Sequence, residues 1–148
     1  MNLRSGLGFR PLVMGVLNVT PDSFSDGGLY LDLAAAVARG VTMMDEGADV
    51  VDVGGASTRP GSKQPGEDEE LSRVVPVVQQ LAAYGRARIS VDTMTSGVAL
   101  AAVEAGATLI NDVSATLWPV ARAAGAGWGA MHMQGGPTGM QAAPPYAA

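Results

Sequence analysis

The chain has 148 residues, 47% of them hydrophobic, enough for one domain with a real core. It contains no cysteine, which excludes a disulfide framework or a thiolate site and is compatible with a reducing compartment. A formal net charge of −5 argues against a broad nucleic-acid-binding surface, no run approaches the ~18 apolar residues of a membrane span, and the first ten residues carry two arginines without an apolar segment, so neither a membrane partner nor a secretory signal is expected and the expected location is the cytoplasm.

Along the chain, apolar runs of strand length alternate with helical segments. A first strand is expected over Leu12–Leu17, which switches abruptly into a loop of Asn, Thr, Asp and Ser ending in Gly27 and Gly28. A first helix is expected over Leu31–Glu46, with Asp32 near its start and Gly47 just past its end. The second strand is Val50–Val53, and a loop rich in Gly, Ser and Pro follows from Gly54 to Gly66. The second helix spans Glu67–Ala83, acidic in its first turn as the helix dipole favours. Ile89–Val91 reads as the third strand and Ser96–Ala105 as the third helix, capped by Thr95 or Ser96. A fourth strand at Thr108–Ile110 leads to a short helix, Leu117–Ala124, and a weaker fifth strand near Trp128–Met131, poor in β-branched residues. From Gly135 to Ala148 the tail reads as a loop, with three prolines and no period. This alternation implies parallel pairing with right-handed crossovers. It fits either an open doubly wound sheet or a piece of a (β/α)8 barrel. A full barrel takes ~250 residues, and four units plus a fifth strand make about half of one.

Polar residues recur near the strand ends: Asn18, Asp52, Asp92, Asn111 and His132. In parallel α/β folds the C-terminal strand ends are where ligands bind. Each residue taken singly also fits a simple turn or helix cap; their convergence on one rim, with polar, glycine-rich loops behind them, favours a site. Asp52 sits among valines and reads as structural, behind the ligand-touching groups. His132, the only histidine, reads as a satisfied structural group without assigned chemistry. The segment Gly54-Gly55-Ala56-Ser57-Thr58-Arg59-Pro60-Gly61 offers an Arg fork, hydroxyls and flexible backbone N–H groups, which suit an anion.

The unbroken stretch Met14-Gly15-Val16-Leu17-Asn18-Val19-Thr20-Pro21-Asp22-Ser23-Phe24-Ser25-Asp26-Gly27-Gly28 resembles the first signature of the dihydropteroate synthase family, folate-pathway enzymes that join a pterin to p-aminobenzoate. Ile89-Ser90-Val91-Asp92-Thr93 and Leu109-Ile110-Asn111-Asp112-Val113-Ser114 resemble further signatures, as does the Gly54–Gly61 segment; Met131–Gly135 with Met140 and Gln141 resembles the family's fifth strand and its loop. The resemblance runs from Pro11 to Tyr146 and covers about the N-terminal half of the family's domain. It implies an α/β fold, a partial (β/α)8 barrel of about four βα units plus a fifth strand, with residues 1–148 forming one incomplete pterin-binding domain. By the same resemblance Asp92 and Asn111 hold the pterin, Met131 packs on it, Thr58 and Arg59 approach the p-aminobenzoate or the leaving diphosphate, Phe24 and Pro60 wall the aminobenzoate ring, and Asn18 binds diphosphate together with Mg2+. The residue types agree: a carboxylate and an amide suit a fused aminopyrimidine, which presents both donors and acceptors, and an amide oxygen beside phosphate oxygens is reasonable Mg2+ chemistry.

The implied reaction needs no enzyme nucleophile. Diphosphate leaves the pterin, and the cationic carbon is attacked by the aromatic amine, so the protein's work is positioning and electrostatic stabilisation. Three later family elements do not occur in these 148 residues: a second pterin-binding Asp, a Lys in a Ser-Arg-Lys segment, and an Arg-x-His segment for the diphosphate. A catalytically inactive half-barrel remnant is therefore one alternative. A pterin-binding domain of the methyltetrahydrofolate type is another, less well matched by Asn18–Gly28 and Ser57–Gly61. An unclosed half-barrel is also expected to pair with another copy, as a homodimer or a larger self-associated species.

Overall fold

The structure, a computed structural model, describes residues 10–20, 28–57 and 61–131. Strands and helices alternate strictly among them: β1 (Met14–Asn18), α1 (Gly28–Asp45), β2 (Val50–Gly54), α2 (Glu67–Tyr84), β3 (Arg88–Asp92), α3 (Ser96–Glu104), β4 (Leu109–Asp112), α4 (Trp118–Ala124) and β5 (Gly127–Ala130). The strands are parallel and lie side by side in chain order, β1-β2-β3-β4-β5. That order decides between the two architectures the alternation allowed. A doubly wound sheet reverses its strand order at a switch point; here nothing reverses, and the arrangement is that of an arc of a (β/α) barrel.

The two faces of the sheet differ in chemistry. Leu17, Val51, Val53, Ile89, Val91 and Ile110 are fully buried and form one core with the helices. From α2 that core takes Val74, Val77, Val78 and Leu81, the i, i+3, i+4, i+7 stripe of an amphipathic helix. The opposite, inner face carries the alternate residues. On β1 these are Met14 and Val16, 43% and 57% exposed, then Asn18. Strand register continues the row of Asn18 to Gly54, Gly54 to Asp92, Asp92 to Asn111, and Asn111 to Gly129.

Several boundaries move relative to the sequence expectation. Helix α1 begins at Gly28 rather than Leu31, and β1 is Met14–Asn18 rather than Leu12–Leu17, so Asn18 closes the strand instead of following it. Gly47 does end the α1 turn, at φ +107°, a conformation open to glycine and few others. Thr95 occupies the N-cap position of α3 but makes no side-chain cap bond; its hydroxyl donates to Glu70 Oε2 instead, at 3.3 Å. The fifth strand forms at Gly127–Ala130 and pairs with all of β4. Gly127 suits its place in the sheet: a Cβ there would lie 3.1 Å from Leu109 Cδ1. Next to it Trp128 anchors the strand by donating its Nε1 hydrogen to Asp112 Oδ2 at 3.1 Å.

Candidate functional site

The C-terminal edge of the sheet brings Asn18, Asp92 and Asn111 into one row on the inner face. Strand alternation puts Met131, just past β5 and 45% exposed, on the same face as Gly129. Asp52 belongs to this face too, in the middle of β2 rather than at its end. Its Oδ2 accepts a hydrogen bond from Asn111 Nδ2 at 2.8 Å. Strands β2 and β4 are two apart, about 9–10 Å in a flat sheet, and two such short side chains meet across that gap because the sheet is concave. This fits the sequence reading of Asp52 as structural, behind the ligand-touching groups: it is buried, and it touches a residue of the expected site.

Asp92 lies between them on β3. Burial, and then the negative charges of Asp52, Glu70 and Asp112, push its carboxyl up to about 6. Below that pH it can donate a hydrogen bond as well as accept one. Beneath it, Asp52 Oδ1 and Ser90 Oγ are buried with no hydrogen-bond partner among the described residues, and these two residues are register partners. Buried unpaired polar atoms are rare in folded proteins and mark places where another group belongs.

The loops behind this edge are fixed by side chains whose role composition did not reveal. Glu70, on the first turn of α2 and 4% exposed, accepts from Thr93 Oγ1 at 2.7 Å and from Thr95 Oγ1. It thereby pins the turn that follows Asp92 to the neighbouring helix. Gly55 lies against the same helix, where a Cβ would stand 2.7 Å from Val74 Cγ2 and 3.1 Å from Glu70 Cγ. Its carbonyl accepts from Arg73 Nη1 at 3.1 Å. The Ser57 carbonyl accepts from both Ser62 Oγ and Gln64 Nε2 at 3.0 Å, which ties together the two ends of segment 58–60.

Asp112 differs from its neighbour Asn111. It points to the helix side, fully buried, and accepts from the Ser114 and Leu117 backbone N–H groups at 2.9 and 2.7 Å, from the Ser114 hydroxyl, and from Trp128. Burial by itself would raise its carboxyl, but the hydrogen bonds from Ser114, Leu117 and Trp128 outweigh that and hold it below the ordinary range. It organises the β4–α4 turn and does not face the site.

Phe24, Thr58, Arg59, Pro60 and His132 lie outside the described residues, as does the 135–148 tail. Asn18 is exposed at the rim. Among the described residues no cluster of three His, Cys, Asp or Glu side chains is placed to hold a metal ion. No helix among them is long and apolar enough to cross a membrane.

A parallel sheet in sequential order, with a carboxylate–amide pair along its C-terminal edge, defines the ligand-binding arc of a (β/α) barrel. More particularly, the chain belongs to the pterin binding enzyme family, whose pattern matches residues 14–148. It is 48% identical over 141 residues to the dihydropteroate synthase of Escherichia coli K12, a match that covers 93% of this chain and 50% of that protein. With the Mycobacterium leprae dihydropteroate synthase it shares 51% identity over 125 residues, covering 81% of this chain and 44% of the relative. In structure it is similar to the Yersinia pestis dihydropteroate synthase in a sulfonamide drug complex, with a TM-score of 0.81 and 47% identity over 94% of this chain and 52% of that one. It also resembles the Xanthomonas albilineans enzyme with 4-aminobenzoic acid, with a TM-score of 0.79 and 48% identity, covering 85% and 48% of the two chains. The chain thus spans about half the length of the curated relatives it matches.

Proposed function

We propose that this chain carries the pterin-recognition half of a dihydropteroate synthase, the transferase that condenses 6-hydroxymethyl-7,8-dihydropterin diphosphate with p-aminobenzoate. The carrying observation is the Asp92–Asn111 pair on adjacent strands, joined to Asp52 by the Asn111 amide. Such a group offers both acceptors and, from Asp92 below about pH 6, a donor, which suits the edge of a fused aminopyrimidine. The similarity to a Xanthomonas albilineans dihydropteroate synthase crystallised with 7,8-dihydropteroate, 44% identical over 85% of this chain, supports the same ligand class.

In the reaction the bond from the pterin methylene carbon to the diphosphate oxygen breaks, and a carbon–nitrogen bond to the aromatic amine forms. The amine's proton passes to water, and diphosphate departs with the electron pair of the broken bond. Asp92 and Asn111 hold the ring and Met131 covers it. Thr58 and Arg59 approach the aminobenzoate or the diphosphate, and Phe24 with Pro60 walls the aminobenzoate ring. The exposed amide oxygen of Asn18 fits Mg2+, a hard ion that usually keeps several waters and takes phosphate oxygens alongside one or two protein ligands. When bound, Mg2+ would neutralise charge on the leaving diphosphate. The location assigned is the cytoplasm. The chain is also assigned a self-associated state, a homodimer or larger, because Val13, Met14 and Val16 expose 54%, 43% and 57% of their surface along β1 and the segment before it.

Calorimetric titration of the 148-residue chain with a dihydropterin tests the reading. Asp92→Ala and Asn111→Ala are each expected to weaken binding about tenfold or more while circular dichroism stays unchanged. Equal affinity in the wild type and both variants removes these residues from the site.

A further inference from the structure

We propose that Asp52 is a positioning residue of the pterin site: by accepting the Asn111 amide hydrogen it fixes which way Asn111 presents its carbonyl, and with its second oxygen it takes a hydrogen bond from the ligand or from a water the ligand holds. The inference deepens the pterin reading of this same edge and rests on it. Three observations carry it.

The first is the hydrogen bond itself. Asn111 Nδ2 lies 2.8 Å from Asp52 Oδ2, an N–H donating to a carboxylate, the stronger kind of protein hydrogen bond. An asparagine amide has two ends of opposite character and nearly equal size. With its amino end committed to Asp52, its carbonyl oxygen is turned the other way, because the reverse orientation would set oxygen against oxygen. The fixed amide then offers an acceptor on the inner face, beside Asp92 on the next strand. The second observation is that Asp52 Oδ1 is buried and has no partner among the described residues, on a residue only 3% exposed. A buried carboxylate oxygen without a donor is costly, and Asp52 lies on the inner face, the face where the expected ring binds. The third is Ser90 Oγ, on the strand beside Asp52 and in register with it, also buried without a partner. With Arg88 Nη1, two residues earlier on the same strand face and also without a partner among the described residues, these atoms leave the inner face short of polar partners, and Asp52 and Ser90 are the two nearest the C-terminal edge. An ordinary buried structural carboxylate looks different: Asp112, on the other face, accepts from Ser114, Leu117 and Trp128.

The experiment compares two substitutions in the full 148-residue chain. Asp52→Asn keeps an acceptor for the Asn111 amide. Asp52→Leu keeps the branched shape, is larger, and accepts nothing. The side-chain amide resonances of Asn111 are followed by NMR without ligand, and a dihydropterin is titrated by calorimetry. The expected result is that Asp52→Asn, which keeps the acceptor for Asn111 but sets an amino group where the second oxygen stood, leaves the Asn111 amide resonances in place and binds about three- to tenfold more weakly, while Asp52→Leu loses about thirtyfold or more and shifts those resonances. In a double-mutant cycle the losses from Asp52→Leu and Asn111→Ala then combine to less than their product. A purely structural Asp52 would lower the melting temperature and leave the affinity of the folded protein unchanged; that result overturns the proposal. So does an Asp52→Asn loss as large as that of Asp52→Leu. If Asp52→Leu does not fold, the Asn111 amide signals and the affinity of Asp52→Asn decide, and displaced signals or an affinity equal to the wild type's there refute it. Absence of dihydropterin binding by the folded wild type would instead refute the pterin reading itself.

Discussion

Replacing Asp92 with Asn is expected to stabilise the protein at neutral pH while weakening its ligand binding. The Asp92 carboxyl sits at about 6 in the fold because it is buried and faces Asp52, Glu70 and Asp112, against ~3.9 in an unfolded chain. Between those values the folded protein holds a proton that the unfolded chain has released, so this group's contribution to stability falls as pH rises from about 4 to about 6 and stays low above that. Two pKa units correspond to about 3 kcal/mol. Asp92 is only partly buried, so solvent screening reduces the figure to about 1–3 kcal/mol. An uncharged amide of the same shape escapes the penalty. Urea unfolding of wild type and Asp92→Asn near pH 4.5 and pH 7.5 measures it, and the difference between the two proteins removes the other carboxylates from the comparison. The variant should gain about 1–3 kcal/mol on the wild type between the two pH values. A difference that does not change with pH, or a variant less stable than wild type near pH 7.5, refutes the reasoning.

Asp112→Ala leaves the Ser114 and Leu117 N–H groups and the Trp128 indole without their acceptor, and should cost about 3 kcal/mol or more in a thermal or urea melt; an unchanged melt shows that the turn does not depend on it. Gly55→Ala should cost about 1–3 kcal/mol, because its Cβ would fall 2.7 Å from Val74 Cγ2, whereas Gly66→Ala, with nothing within 4 Å of its Cβ, should stay within about 0.5 kcal/mol; equal effects contradict the packing account. Light scattering after size exclusion at micromolar concentration should find a dimer or larger species, and a sharp 15.0 kDa species with cooperative unfolding contradicts that. The 148-residue chain by itself should couple the pterin diphosphate to p-aminobenzoate poorly, since loss of one charge-stabilising donor can cost ~10²–10³ in rate; turnover at ordinary enzyme rates contradicts this.

What the sequence revealed and what it hid have a common physical cause. Strand alternation and helical spacing are local, so the order of elements from β1 to β5 was legible, and so were Asn18, Asp92 and Asn111 as residues near strand ends. Sequential against reversed strand order is a long-range property, and the pattern alone left it open. Polar residues with long-range partners were misread or missed for the same reason. Asp52 read as structural, behind the ligand-touching groups, but its partner Asn111 was not legible, because strand alternation and curvature bring the two together across β3. Glu70 looked like one more acid at a helix start, yet it is buried against Thr93 and Thr95, and Thr95, one of the two residues expected to cap α3, bonds to α2 instead. The signal that could have found Glu70 is its place on the apolar stripe, four residues before Val74 and seven before Val77. Asp112 and Asn111 are adjacent in sequence, and the two-residue period of a strand sends them to opposite faces. The fifth strand looked weak because propensity counts glycines against it; packing against Leu109 and the Trp128–Asp112 bond decide otherwise.

The central claim is that the inner C-terminal edge of this sheet binds a pterin. The most direct measurement is two-dimensional NMR of the 15N-labelled chain during titration with a dihydropterin. The account predicts backbone and side-chain shifts concentrated at Asn18, Asp52, Ser90, Asp92, Asn111 and Met131, with the helix-side residues around Val77 and Leu81 unchanged. Saturable shifts centred on the helices, with that edge undisturbed, would contradict it.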